Sequence, residues 1–275
     1  MSNRYTIVTG AGGSIGRAIT RTLASEGRNI IMACRNVTKD APLCKQIDDE
    51  CNGHVRIMQL DLASFDSIRS FAHLIEQEDI VVEALINNAG VMNKHYSTTA
   101  DNHEMTIGVN FVGTYMLTQL LLPHIVDGGN ITFTTSLTRY IGKIDRTFFG
   151  DNATHYARFD AYSKSKLATT LLTAHLAEQL ATRNIHVNAA DPGVVDTDMI
   201  HMDSWVDNIA DALFRPIIST PQQGAMSAIS ATKSQLTGRI FTQNKHHDIP
   251  QRYRNHPMKA WLLEATEAII TANKE

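Results

Sequence analysis

The chain has 275 residues, 43% hydrophobic and 19% charged, which is enough apolar material for a sizeable core without disulfide or metal staples. Sixteen Gly and seven Pro exclude collagen-like and low-complexity classes. The balance of 25 Lys and Arg against 28 Asp and Glu, net −3, argues against a nucleic-acid partner.

Residues 5–9 read as a strand. SIGRAITRTLASEG follows, with Ile15, Ile19 and Leu23 at helical spacing until Gly27 stops the helix. Because MSNRYTIVTG enters that strand directly, no signal peptide is expected. Further strands are expected at 29–33, 54–60 and 82–86, with a helix marked by Phe65, Ile68 and Phe71 or Ala72 between the last two. Residues 103–122 predict a buried helix. No charge occurs over 105–123, yet Thr, Asn, Gly and Gln dilute the segment below a spanning one, so no membrane contact is expected. Gly128-Gly129 turns into a strand at 131–135. A long helix covers about 160–182 through Leu167, Leu171, Leu172, Leu176 and Leu180, and strands follow at 185–190 and 238–242. Apolar strands spaced by helices predict an α/β fold. The expectation is a single doubly wound Rossmann-type domain over 1–275, with a mainly parallel seven-stranded sheet and helices on both faces.

Between the first strand and helix stands Thr9-Gly10-Ala11-Gly12-Gly13-Ser14-Ile15-Gly16. Glycine permits the sharp turn and the close approach of a pyrophosphate, and the helix N-terminus supplies free N–H groups. The position of the turn in a βαβ unit, more than its composition, marks it as a dinucleotide cradle. An NAD-specific site calls for a carboxylate near the end of the second strand, where Cys34 stands. Arg35 there, with Arg17, suits a 2′-phosphate, so NADP(H) is expected over NAD(H), the bland alternative being two ordinary surface arginines.

In Tyr162-Ser163-Lys164-Ser165-Lys166, Tyr162 and Lys166 stand four apart on one helix face. An ammonium beside a phenol favours the phenolate, and such a pair exchanges a proton with a carbonyl or hydroxyl oxygen. Alone, this spacing also suits a solvated helix face.

These motifs together resemble the short-chain dehydrogenase/reductase family, over roughly residues 5–240. TGAGGSIG at 9–16 is similar to its TGxxxGxG turn, Asn87-Asn88-Ala89-Gly90 to NNAG, Tyr162 with Lys166 to YxxxK, and Pro192-Gly193 with Thr197 to PGxxxT. MACRN, ARFDAYSKSKLAT, STPQQGA and the long gap from Ser136 to Tyr162 resemble its retinol-dehydrogenase-like branch. Two positions depart from the pattern: Ser14 replaces the second glycine, where it offers a phosphate donor or N-cap, and Asp191 precedes the PG motif.

The resemblance implies an NADP(H)-dependent oxidoreductase that moves a hydride between nicotinamide and a carbonyl or a primary or secondary alcohol. Ser136 would position the substrate oxygen, Tyr162 act as acid or base, Lys166 hold the ribose and tune Tyr162, and Asn110 support a relay water. Implied cofactor contacts are Gly10, Gly12, Ser14, Ile15, Gly16, Arg35, Asp61, Leu62, Asn88, Ala89, Gly90, Tyr162, Lys166, Pro192, Gly193, Val195 and Thr197. The family also implies a homodimer or homotetramer paired through two central helices. The alternatives are a non-enzymatic NADP(H) sensor or scaffold, which tends to lose Ser, Tyr or Lys, and an epimerase or dehydratase, which needs a larger C-terminal domain.

After Thr197, about 197–220 corresponds to the family's substrate lid. Met199, Met202 and Trp205 there suggest a pocket for a mostly apolar small molecule, with core packing as the plain alternative. Cys34, Cys44 and Cys51 have no CxxC spacing, so neither disulfides nor zinc is expected, and a reducing, cytoplasmic setting fits. His246-His247-Asp248 suggests no third ligand, so a solvated loop and no metal are expected. Arg252, Arg254 and His256 read as a surface patch. The helix at about 257–272, with Trp261, Leu262, Ala265 and Ile269, suits the core, the substrate mouth or a subunit contact.

Overall fold

The computed structural model describes residues 3–150, 153–193 and 220–272. Eight strands form one sheet in the order β3-β2-β1-β4-β5-β6-β7-β8. They are β1 Arg4–Thr9, β2 Ile30–Cys34, β3 Val55–Gln59, β4 Val81–Asn87, β5 Ile125–Thr134, β6 His186–Asp191, β7 Arg239–Thr242 and β8 Lys245–Asp248. All pairings are parallel except β7 with β8. The strand order reverses direction between β1 and β4, the switch point at which doubly wound sheets bind ligands beyond the strand C-termini.

Alternation along the strands divides the apolar side chains between two cores. Val8, Ile30, Met32 and Cys34 pack with Ile19 and Leu23 of α1 (Ser14–Ser25), Ile47 of α2 (Val37–Glu50) and Ile229 of α6 (Pro221–Lys233). Ile7, Ile31 and Leu85 face the other way. There they meet Ile68 and Phe71 of α3 (Phe65–Gln77), Phe111 and Leu117 of α4 (Met105–His124) and Leu171 of α5 (Arg158–Gln179). By length and composition α4 is apolar enough to cross a membrane, but 78% of that window is buried inside the fold.

Several sequence expectations change, and β5 starts at Ile125 with Gly128-Gly129 inside it, where a turn into a strand at 131–135 was expected. The sheet has eight strands, because Gln243, with a left-handed φ of 54°, turns the chain so that Lys245–Asp248 pairs back on β7. His246-His247-Asp248 is therefore an exposed edge strand, with Asp248 paired to Arg239 at 2.5 Å, and not a loop. Helix α2 had no counterpart in the periodicity, since only Cys44 and Ile47 are buried and Pro42 stands inside it; Asn36 starts it by accepting from Lys39 N–H at 2.9 Å. The basic patch lies at the surface as expected, with its two arginines engaged. Arg252 stacks at 4.8 Å on both Tyr140 and Tyr253, and Arg254 donates to the carbonyls of Ile249 and Gly238. In α7 (Lys259–Ala272), Leu262 and Ile270 are buried against the core, and Glu267 accepts from Tyr115 at 3.0 Å.

Candidate active site

The turn after β1 is built for close backbone approach. Gly10 adopts φ +62°, and a Cβ on Gly16 would lie 2.3 Å from the Gly10 carbonyl oxygen. Helix α1 is capped by Gly13 with no side-chain cap, so Ser14 is the first helical residue and not the N-cap; the first-turn N–H groups stay open to an anion. Thr9 and Asn88 strap this turn to the end of β4. Thr9 Oγ1 accepts from the N–H groups of Asn88 and Ala89, both at 3.0 Å, and Asn88 Nδ2 donates to the Thr9 carbonyl at 3.0 Å. A bare, glycine-lined turn at an uncapped helix N-terminus fits a dinucleotide pyrophosphate. Ile15 is half-buried on that helix, and Arg17 and Arg35 are exposed.

Asp61 and Leu62 follow β3, where Asp61 Oδ1 accepts from Ala63 N–H at 2.9 Å, and Gly113 lets α4 pass beneath the Leu62 carbonyl. Helix α4 is π-helical over Gly108–Gly113, which holds Asn110. The Asn110 amide accepts from Val91 N–H at 2.7 Å and donates to the Val91 carbonyl at 2.9 Å and Ser165 Oγ at 3.0 Å. A Cβ on Gly90 would lie 3.4 Å from Asn110 Oδ1 and 3.5 Å from Lys166 Nζ, so these three groups converge.

The Ser136 and Tyr162 side chains meet in a hydrogen bond. Lys166 Nζ lies 5.4 Å from the Tyr162 ring centre and donates to the Thr134 carbonyl at 2.9 Å. Burial pushes Tyr162 up to about 12, opposed by the Ser136 hydrogen bond and reinforced by the Asp191 charge. Burial pulls Lys166 down to about 8, with Asp191 acting the other way. The sequence expected Lys166 to depress Tyr162; in the protein alone burial raises it, and Lys166 is not among the groups that shift it. At neutral pH this leaves a protonated phenol at the C-terminal edge of the sheet, beside the glycine turn. Chemically it is a proton donor.

Sequence reasoning did not find Arg139 as a site residue. Its side chain is the largest fully buried one, donates to the Ser136 carbonyl at 2.7 Å and pairs with Asp191 at the end of β6. Asp191 also accepts from Gly193 N–H at 3.1 Å, beside Pro192. The unusual residue before the PG motif was the available signal, since a carboxylate there needs a cation. A cavity of about 160 Å³ next to this pair is lined by Arg139, Tyr140, Leu167, Arg252 and Tyr253 among others. A larger hollow, about 460 Å³, opens at the opposite edge of the sheet around Arg28, Asn130 and Lys233, remote from Tyr162. Val195, Thr197, Met199, Met202 and Trp205, with the lid expected at about 197–220, lie outside the described residues.

Comparison with known proteins agrees with this geometry. The family model for short chain dehydrogenases matches residues 4–205. Human retinol dehydrogenase 12 is 34% identical over 265 residues, spanning 93% of this chain and 83% of that protein. Human polyprenol dehydrogenase is 35% identical over 239 residues, spanning 83% and 72%. A blue fluorescent protein from a metagenomic library, solved in complex with NADPH, superposes with a TM-score of 0.70 at 25% identity, covering 88% of this chain and 97% of that one.

Proposed function

The chain belongs to the short-chain dehydrogenase family and resembles its retinol dehydrogenases, and from that membership we propose that this oxidoreductase uses NADP(H), in preference to NAD(H), to interconvert a carbonyl and an alcohol on a mostly apolar substrate. The observation that carries the reading is the Tyr162 side chain partnered by Ser136 with Lys166 Nζ 5.4 Å from its ring, in the same chain as a glycine turn at an uncapped helix N-terminus.

When bound, the nicotinamide supplies or accepts the hydride. The chain does the rest. Ser136 holds the substrate oxygen against Tyr162, and Tyr162 gives that oxygen a proton as the carbonyl is reduced, or takes one back on oxidation. Lys166, fixed by the Thr134 carbonyl, faces Gly90 and Asn110, where it holds a ribose hydroxyl and returns a proton to Tyr162. Asn110 anchors that corner through Val91. Leu137, Tyr140, Ile141 and Phe159 are exposed around Ser136 and Tyr162, which suits an apolar substrate, as do the alcohols in the names of the two relatives. A cytoplasmic location accords with the free thiols of Cys34, Cys44 and Cys51.

NADPH consumption over ketones, aldehydes, quinones and steroids tests the activity; absence of turnover with every class, despite tight nucleotide binding, would favour a sensor. For the cofactor, Arg35→Asp should weaken NADPH about ten- to a hundred-fold, the worth of one charge-assisted contact to phosphate, with NADH gaining relative to it. Tighter NADH than NADPH binding by the wild type would remove Arg35 from that role. For the substrate, Trp205→Ala should raise KM for bulky ketones more than for small ones. An equal effect on both would place Trp205 outside the pocket.

A further inference from the structure

Gly12 of the phosphate turn and Asp40 in the first turn of α2 compete for one volume. A Cβ on Gly12 would lie 2.3 to 2.5 Å from all three atoms of the Asp40 carboxylate, so the bare backbone at 12 makes room for that charge. Underneath is Cys34, the last residue of β2, 1% exposed. Its thiol donates to Asp40 and receives the Gly12 N–H. Burial first, then the Asp40 charge, push it up to about 12, so it remains a donor and holds the carboxylate in place.

Helix α2 does not need Asp40 as a cap, because Asn36 already performs that task. The end of β2 beside the first turn is where a doubly wound sheet receives the adenosine ribose. From sequence, no carboxylate stood there, since Cys34 occupies the strand end and Arg35 follows. Folding brings one in from six residues further on. A carboxylate in that place accepts hydrogen bonds from a ribose diol and repels a 2′-phosphate.

We propose that Asp40 is a specificity-determining residue of the cofactor site, favouring the free 2′-hydroxyl and opposing the 2′-phosphate that Arg35 attracts, so that the chain binds NADH as well as NADPH. This rests on the reading of residues 10–16 as a dinucleotide cradle and refines the preference drawn from Arg35 alone.

The test is equilibrium binding, followed by nicotinamide fluorescence, of NADPH and NADH to the wild type and to Asp40→Asn, which keeps shape and removes charge. Competition by 2′,5′-ADP and 5′-AMP locates any effect at the ribose. The wild type should bind both dinucleotides. Asp40→Asn should tighten NADPH about tenfold and weaken NADH about threefold, and 2′,5′-ADP should gain over 5′-AMP in the same sense. Asp40→Ser should shift the ratio in that direction as well, which guards against a folding defect particular to Asn. A ratio of NADPH to NADH affinity within about twofold of wild type in both variants would overturn the proposal and make Asp40 a packing residue. That result, with tight binding retained, leaves the dinucleotide reading standing, whereas a wild type that binds neither nucleotide defeats both.

Discussion

Turnover should fall by about 10²–10⁴-fold in the Tyr162→Phe variant, the usual contribution of a general acid, while folding and nucleotide binding change little. The ring and its packing are kept, and the phosphate-binding turn lies on other elements, Gly10 to Gly16. Only the hydroxyl that meets Ser136 is lost. Lys166→Ala differs in kind: it removes the group 5.4 Å from the Tyr162 ring that also donates to the Thr134 carbonyl, so nucleotide affinity and turnover should fall together. The sign with pH follows from the acid's direction of shift. A phenol raised to about 12 stays neutral through pH 10, where a free tyrosine is half ionised. In the cofactor-free protein, the tyrosinate absorbance of wild type minus Tyr162→Phe should therefore show no titration below pH 10. Folding also loses stability as pH rises from about 10 towards 12, because the unfolded chain ionises this phenol first. Steady-state turnover of the Phe variant decides the mechanism: a value within about threefold of wild type would remove Tyr162 as the acid.

The legible part of the molecule is the part written in periodicity and glycine. Strands β1 to β4, β6 and β7 lie where apolar runs place them, whereas β5 starts at Ile125, upstream of the expected glycine turn; the motifs from Gly10 to Lys166 converge because each follows a strand's C-terminal end. Long-range charge pairing was not legible. Arg139 and Asp191 are 52 positions apart, and while the carboxylate before the PG motif called for a cation, nothing local said that Arg139 would be the one buried against it. Asp40 escaped for a related reason: it sits on a helix with too narrow an apolar stripe to announce itself, so its reach to Gly12 had no element to be argued from. The phenol's direction of shift was misjudged because sequence shows the lysine neighbour but not the depth of the ring. Local pattern fixes elements; burial decides the charges between them.

The Arg139–Asp191 pair sets the second large expectation. Both side chains are 1% exposed, so removing either partner leaves an uncompensated charge in the core. Breaking such a pair typically costs about 3–5 kcal/mol, several times the worth of a surface ion pair. Arg139→Met should therefore lower the unfolding free energy by about that amount, read from the denaturant midpoint at constant m-value. The double variant Arg139→Met, Asp191→Leu should recover most of it. Replacing a whole buried pair with apolar groups is often neutral. Function should not recover in parallel. The Arg139 guanidinium donates to the Ser136 carbonyl at 2.7 Å, beside the Arg139 backbone N–H, and so ties the loop that carries the Ser136 hydroxyl to the end of β6. The double variant should thus be stable yet bind substrate poorly, with KM raised more than kcat is lowered. The single variants should also move the Tyr162 titration in opposite senses: upwards when Arg139 is lost and the Asp191 charge stands alone, downwards in Asp191→Asn, where the guanidinium stands alone. A stability loss under about 1 kcal/mol in Arg139→Met, or shifts of the same sign in both single variants, would show that the two groups do not form a buried pair beside Tyr162.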